Sequence, residues 1–294
     1  MQAMTATVTE LLAARGPTFS FEFMPPRDDE GEAALWRAIR ELEPLRPAFV
    51  DITYGAGGSR RDRTLRTVER VAAETELPLV AHLTCVGATR EQLRATIVRF
   101  TRAGVRNVLA LRGDPPGGPA EVWEPHAGGL RQAEDLVRLL HEEGGFCVGV
   151  AAYPLPHRES ADDAGDLKYF AQKCAAGADF AITQFFYDAS DYFAFVAGAR
   201  EAGCDIPILP GVMPLTSAGQ IVRFPQLSGH PVPPELAARV QAAADDPAAV
   251  RDVGVAFATA LCRELLAGGA PGIHFYTLNR STAAREIHAR LTGC

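Results

Sequence analysis

Short apolar runs of strand length alternate with longer stretches in which apolar positions recur every three or four residues, from residue 18 to the C-terminus. The runs are Thr18–Phe23, Ala48–Thr53, Leu79–Thr84, Asn107–Leu111, Cys147–Ala152, Phe180–Gln184, Ile206–Pro210 and Gly272–Tyr276. Between them the spacing predicts helices over Gly31–Leu42, Asp62–Thr75, Thr89–Ala103, Leu130–Glu142, Ala164–Ala175 and Tyr192–Glu201, and Arg280–Leu291 closes the chain. A strand followed by a helix, repeated eight times without a shift in composition, is the pattern of a parallel sheet, and eight units close a barrel. The expected fold is an α/β single (βα)8 TIM barrel over residues 18–294, preceded by an N-terminal extension or helix over residues 1–17.

The seventh unit is irregular. About 60 residues separate Pro210 from Gly272, where one helix needs far fewer. Pro231-Val232-Pro233-Pro234 opens an added helix over Glu235–Ala243, and Asp245-Asp246-Pro247 opens another over Ala248–Ala267. These are expected as extra helices before the last strand. An open doubly wound sheet is disfavoured, because its glycine fingerprint is missing. The first strand runs into Met24-Pro25-Pro26, and Gly55-Ala56-Gly57-Gly58-Ser59-Arg60 ends on arginine where the last glycine belongs.

In such a barrel, chemistry gathers at the carboxyl ends of the strands. Strand alternation puts Ser20 and Glu22 on one face and Phe19, Phe21 and Phe23 on the other. Glu22 then points into the barrel near its mouth, where an unpaired carboxyl keeps its proton and becomes a usable general acid. The same placement fits a glutamate paired with a barrel arginine. Asp114 follows the fourth strand, held before Pro115-Pro116, and alone reads equally as a turn former. Thr53-Tyr54-Gly55-Ala56-Gly57-Gly58 allows close approach of backbone to a bound group, a weak signal by itself. His82 in the third strand fits a satisfied core histidine as well as a ligand contact. After the fifth strand, Tyr153-Pro154-Leu155-Pro156-His157 leads to a helix holding Asp166 and Lys173, a plausible anion site. Gln184 ends the sixth strand, where an amide offers a donor and an acceptor to a heterocycle. Arg280 is expected to open the last helix, where its charge opposes the helix dipole unless an anion is near.

Composition narrows the function classes. The formal charge is −7 with both signs mixed along the chain, so no basic stripe marks a nucleic-acid binder. Only Lys168 and Lys173 among 29 basic residues are lysines; codon bias explains the arginine excess, and the two exceptions stand out against it. The six cysteines lie at no short spacing, giving neither a zinc site nor a disulfide framework, and no His, Asp, Glu or Cys cluster has metal spacing along the chain. With no secretory leader and no apolar run long enough to span a bilayer, the expected location is cytoplasmic, away from membranes.

Seven blocks, each at a strand end and in this order, resemble the methylenetetrahydrofolate reductase family in its compact bacterial form. They are Phe19–Arg27, Asp51–Gly57 (DITYGAG), Ala81–Cys85 (AHLTC), Ala110–Asp114 (ALRGD), Val150–Pro154 (VAAYP), Ala181–Phe186 (AITQFF) and His274–Arg280 (HFYTLNR). The resemblance implies a flavoprotein oxidoreductase that takes hydride from NAD(P)H through FAD to 5,10-methylenetetrahydrofolate, in ping-pong fashion. It implies that Glu22 is the general acid toward the folate and that Asp114 lies beside the flavin ring. Thr53, Tyr54, Ala56, His82, Arg112, Gly113, Tyr153, His157, Asp166 and Lys173 match positions lining the FAD site, with Lys173 neutralising the diphosphate. Gln184 matches a contact to the pterin and Arg280 one to the folate's glutamate tail; family members are commonly homo-oligomers. The chain departs from the pattern at Ala218, where many bacterial members carry a stacking aromatic, and at Tyr169 and Gln172 near the FAD positions. A folate- or flavin-binding paralogue with little turnover is the alternative; a Schiff-base lyase barrel would need a lysine at a strand end, and both lysines lie in one helix segment.

Overall fold

The computed structural model describes residues 6–14, 16–55, 58–115, 121–157 and 163–293. Nine strands run parallel: β1 (Thr18–Phe23), β2 (Phe49–Ile52), β3 (Leu79–Thr84), β4 (Asn107–Leu111), β5 (Cys147–Ala152), β6 (Phe180–Thr183), β7 (Ile208–Leu209), β8 (Gly211–Val212) and β9 (Gly272–Tyr276). Each of β1 to β6 pairs with the next, β6 pairs with β7, and β8 pairs with β9, which returns to β1. The seventh stave of the barrel is therefore split in two. Pro210 has no N–H to give a ladder, so the stave breaks there. Its first half bonds to β6, its second half to β9, and the Pro210 carbonyl accepts the His274 N–H at 3.0 Å. The expected continuous strand at Ile206–Pro210 is corrected to this divided one.

The connecting helices are α2 (Asp29–Leu42), α3 (Gly58–Glu74), α4 (Arg90–Arg102), α5 (Ala133–Glu143), α6 (Asp163–Ala175) and α7 (Ala189–Glu201). Their starts are chemically specified. Asp28 caps α2 through the Gly31 N–H, and Thr89 and Gln92 form a reciprocal capping box at α4. The long seventh unit holds α8 (Gln220–Ser228), α9 (Pro234–Ala242) and α10 (Pro247–Ala267), the last opened by Asp246 and Pro247. The final helix, α11, spans Thr282–Thr292.

Strand alternation sorts the side chains into two layers. Phe21, Phe23, Val50, Ile52, Leu83 and Phe275 face outward into the main core against the helices. Phe49, Val80, Leu109, Phe180, Ile182 and Leu209 fill the barrel interior. A short helix, α1 (Val8–Ala14), lies against this inner layer; buried Val8 and Leu11 pack on it, and the Val8 N–H bonds to Asn107 Oδ1 at 2.8 Å. The lower interior is thus apolar, and polar inward positions occur higher up.

Helix α10 packs so tightly under the loop after β8 that a Cβ at Gly254 would lie 1.6 Å from the Leu215 carbonyl oxygen. Backbone cannot swing aside as a side chain can, so Gly254→Ala is expected to cost at least about 3 kcal/mol. At about 2–4 °C per kcal/mol, thermal unfolding should detect it readily.

Candidate functional site

The carboxyl ends of the strands surround a cavity of about 1680 Å³. That exceeds the roughly 300–1,000 Å³ of common ligand pockets and leaves room for a dinucleotide with a second ligand. Glu22, Thr53, Tyr54, His82, Arg112, Gly113, Asp114, Tyr153, His157, Asp166, Lys173 and Gln184 all line it, so twelve positions from the first six strand-and-helix units converge. Ala56 lies outside the described residues.

The floor is a polar group rooted in three adjacent strands. Glu22 on β1 stands in register with Asp51 on β2 and with Tyr276 on β9. Asp51 is fully buried, and its Oδ2 lies 2.7 Å from His82 Nε2 and 3.6 Å from His274 Nε2. The other nitrogen of His274 shares a hydrogen bond with Ser20 Oγ at 2.9 Å. Burial pushes both carboxyls up, Glu22 to about 8 with the charge of Asp51 as the second cause. Burial likewise pushes His82 down and His274 down to about 3, so both imidazoles are neutral at pH 7. Glu22, Asp51 and His82 place donor atoms within 4.8 Å of one another, a grouping that spacing along the chain did not reveal. Two of those residues are already hydrogen-bonded to each other, which is the geometry of a proton-sharing cluster.

Glu22 is fixed by residues from the far end of the chain, just after the neighbouring strand β9. The Thr277 hydroxyl donates to the Glu22 carbonyl. The Asn279 side chain clasps Met24, accepting its N–H at 2.8 Å and donating to its carbonyl at 2.9 Å. Leu278 and Asn279 both adopt left-handed backbone, with φ of 51° and 58°, which is costly for leucine and persists only where its surroundings hold it. Asn279→Ala should leave folding intact and slow whatever step uses Glu22 by about tenfold, since small displacements of a catalytic group are expensive. Single-turnover rates would measure it.

This clasp turns the next residue outward. Arg280 is exposed and does not line the cavity, and α11 starts two residues later at Thr282 behind Ser281. The helix expected to open at Arg280 is corrected to one that opens at Thr282. Arg223 of α8 lines the rim instead. It was not legible beforehand, because α8 falls in the irregular region.

The opposite wall carries a buried cation. Lys173 of α6 donates to the Ala151 carbonyl, lies 5.8 Å from the Tyr153 ring centroid and 5.6 Å from that of Phe170, and forms no ion pair among the described residues. Burial lowers its pKa to about 8. Asp166 accepts the His157 N–H at 2.6 Å, pinning the loop after β5. Gly113, at φ +84°, sits where a Cβ would meet Val86 Cγ1 at 2.7 Å, so the chain bends there with no room for a side chain. Arg112 stacks 5.1 Å from the ring of Trp123. Gln184 accepts the Phe185 N–H through its carbonyl oxygen, leaving its NH2 as the group to offer. Ala218 packs in the apolar cluster around Phe224 and does not line the cavity; Tyr169 lines it, and Gln172 does not.

A family model for methylenetetrahydrofolate reductase matches residues 7–292. The chain belongs to the methylenetetrahydrofolate reductase family. The 5,10-methylenetetrahydrofolate reductase of Escherichia coli is 39% identical over 270 residues, covering 91% of this chain and 88% of that protein. Methylenetetrahydrofolate reductase 1 of Schizosaccharomyces pombe is 37% identical over 277 residues. The chain spans 46% of the length of that fungal reductase and 47% of the Arabidopsis thaliana methylenetetrahydrofolate reductase (NADH) 1, which is 36% identical. Among solved structures, a Clostridium thermocellum protein described as binding two copies of 5-methyl-5,6,7,8-tetrahydrofolic acid superposes with a TM-score of 0.65 at 14% identity, covering 97% of this chain and 96% of that one. At that identity the likeness concerns the fold. No helix among the described residues of this family member is long and apolar enough to cross a membrane.

Proposed function

We propose that this chain reduces 5,10-methylenetetrahydrofolate to 5-methyltetrahydrofolate, with NAD(P)H as the electron source and FAD as the cofactor. The observation that carries the reading is one large cavity with Glu22 on its floor beside buried Asp51, its proton favoured by burial, and on its wall a buried lysine that forms no ion pair among the described residues. Family membership names the substrate those groups would serve.

The residues suit a flavin dinucleotide. A buried ammonium with a carbonyl as its hydrogen-bond partner is satisfied best by an anion, and Lys173 would hold the diphosphate. Tyr153 and His157, in edge contact at 4.9 Å, together with Thr53, Tyr54, His82, Arg112 and Gly113, would line the rest, and Asp114 would flank the ring system. When bound, FAD supplies the relay of a hydride from nicotinamide to folate.

The protein's own work is then proton delivery and orientation. Glu22 gives its proton to the folate nitrogen that leaves the methylene carbon, and the substrate is left as an iminium cation ready for hydride. Ionised Glu22 and the carboxylate of Asp114 favour that cation. The NH2 of Gln184 would meet the pterin and Arg223 would meet the anionic tail, since both line the cavity. Nicotinamide and folate use the same cavity in turn, which gives ping-pong kinetics.

The test is optical. Purified protein should carry a flavin spectrum that bleaches under anaerobic NADH or NADPH and recovers on adding methylenetetrahydrofolate. A colourless protein that takes up no added FAD would overturn the reductase reading in favour of a folate-binding paralogue.

A further inference from the structure

Beneath Glu22 lies a buried carboxyl that the reaction as described leaves without a task. Asp51 is fully buried, stands in register beside Glu22, and is the only carboxyl among the described residues hydrogen-bonded to a buried imidazole. Two carboxyls with donor atoms within 4.8 Å of one another, one of them fully buried, resist ionising together, so the pair tends to keep a shared proton.

The surrounding groups decide which carboxyl keeps it. His82 of β3 directs Nε2 to Asp51 Oδ2 at 2.7 Å, and His274 of β9 brings its Nε2 to 3.6 Å of the same oxygen. With Nε2 protonated, the neutral His82 donates to Asp51 and favours a carboxylate there, whereas His274 Nε2 stands beyond hydrogen-bond distance. No side-chain hydrogen bond reaches the Glu22 carboxyl among the described residues. The remaining ionisable neighbour, Tyr276 of β9, spends its hydroxyl proton on the Thr183 carbonyl at 2.7 Å. Its pKa is raised by burial and by the two carboxyls, so it stays neutral. Arg112 and Asp114 line the cavity above, on the loop after β4. Asp51 Oδ1 and His274 Nε2 have no hydrogen-bond partner among the described residues, so the His82–Asp51 contact is the one hydrogen bond that Asp51's carboxyl makes there.

We propose that Asp51 is a positioning residue for the folate step: hydrogen-bonded as the anion to His82 beneath Glu22, it keeps the proton on Glu22 until folate arrives. A neutral Asp51 would remove the second of the two causes that hold Glu22 up, burial being the first, and Glu22 would give up its proton at a lower pH.

The proposal rests on the reductase reading, and its test has one arm that needs no cofactor. In the Asp51→Asn holoenzyme, the alkaline limb of flavin reoxidation by methylenetetrahydrofolate should move about one pH unit lower, so that activity relative to wild type falls about fivefold at pH 8 and little at pH 6. The pH dependence of nicotinamide-driven flavin reduction, which takes no proton from Glu22, should not move. An unshifted limb, or an equal loss at every pH, would make Asp51 merely structural. The second arm uses infrared difference spectra of wild type and Glu22→Gln at pH 7, with or without flavin. The carbonyl band of a protonated carboxyl should be present in wild type and absent in the variant. A band that survives the substitution would place the proton on Asp51 and overturn the proposal, even if Asp51→Asn fails to fold.

Discussion

Glu22→Gln should abolish methyl-folate formation, by roughly 10²–10⁴-fold, while NADH- or NADPH-driven bleaching of the flavin continues near the wild-type rate. The glutamine keeps the shape and neutrality of the protonated acid and removes only the transferable proton. Rapid-mixing measurement of each half-reaction separates the two effects, and equal loss in both would make Glu22 structural. In wild type the folate step should be flat at low pH and decline as pH rises through about 8, where Glu22 loses its proton. Stability should follow the same group with a definite sign. The folded-state value lies above the ordinary 4.5, so folding takes up a proton between about 4.5 and 8 and stability falls across that window. Glu22→Gln escapes that loss. Its melting temperature should match wild type near pH 4.5 and exceed it above pH 8.

Lys173→Met should weaken FAD binding by about 10²-fold or more, the cost of removing one partner from a buried charged contact, about 3 kcal/mol. Fluorescence titration of the apoprotein with FAD would measure it. The same substitution should stabilise the protein without cofactor. The folded-state pKa, about 8, lies below the ordinary 10.5, so the folded chain holds fewer protons than the unfolded one between those values. The penalty for the buried charge is therefore complete at pH 7 and fades as pH rises through that window. Methionine fills a similar volume without the charge. Weaker FAD binding with a higher apoprotein melting temperature would identify Lys173 as a group kept for a ligand; a loss of both would identify it as part of the core.

Much of this was legible in the chain itself. Thr18–Phe23, Leu79–Thr84, Asn107–Leu111, Cys147–Ala152 and Gly272–Tyr276 are strands to the residue, because each is an apolar run bounded by turn formers. The converging site could be read because a polar residue at the end of an apolar strand has few structural excuses. That logic applied equally to Asp51 in Ala48–Thr53 and to His274 in Gly272–Tyr276, yet both were passed over. They sit one or two positions deeper than the strand ends, and their meaning comes from neighbours on other strands. The broken seventh stave was hidden for a related reason: Pro210 reads as the end of a strand, and only the closed sheet reveals that the strand resumes beyond it on a different partner. The start of the last helix is hidden in the chain because Arg280 continues its periodic run, whereas the turn made by Leu278 and Asn279 delays the helix to Thr282.

The clasp between Asn279 and Met24 also has a bearing on how the protein is made. It ties the first stave to the loop that follows the last, so the acid on β1 is aimed by residues some 255 positions later in the chain. During synthesis every other wall of the cavity can be in place while Glu22 still lacks its support. The first strand's acid is thus aimed only after every other strand has been made, and a nascent barrel short of residue 279 holds Glu22 without the clasp that orients it.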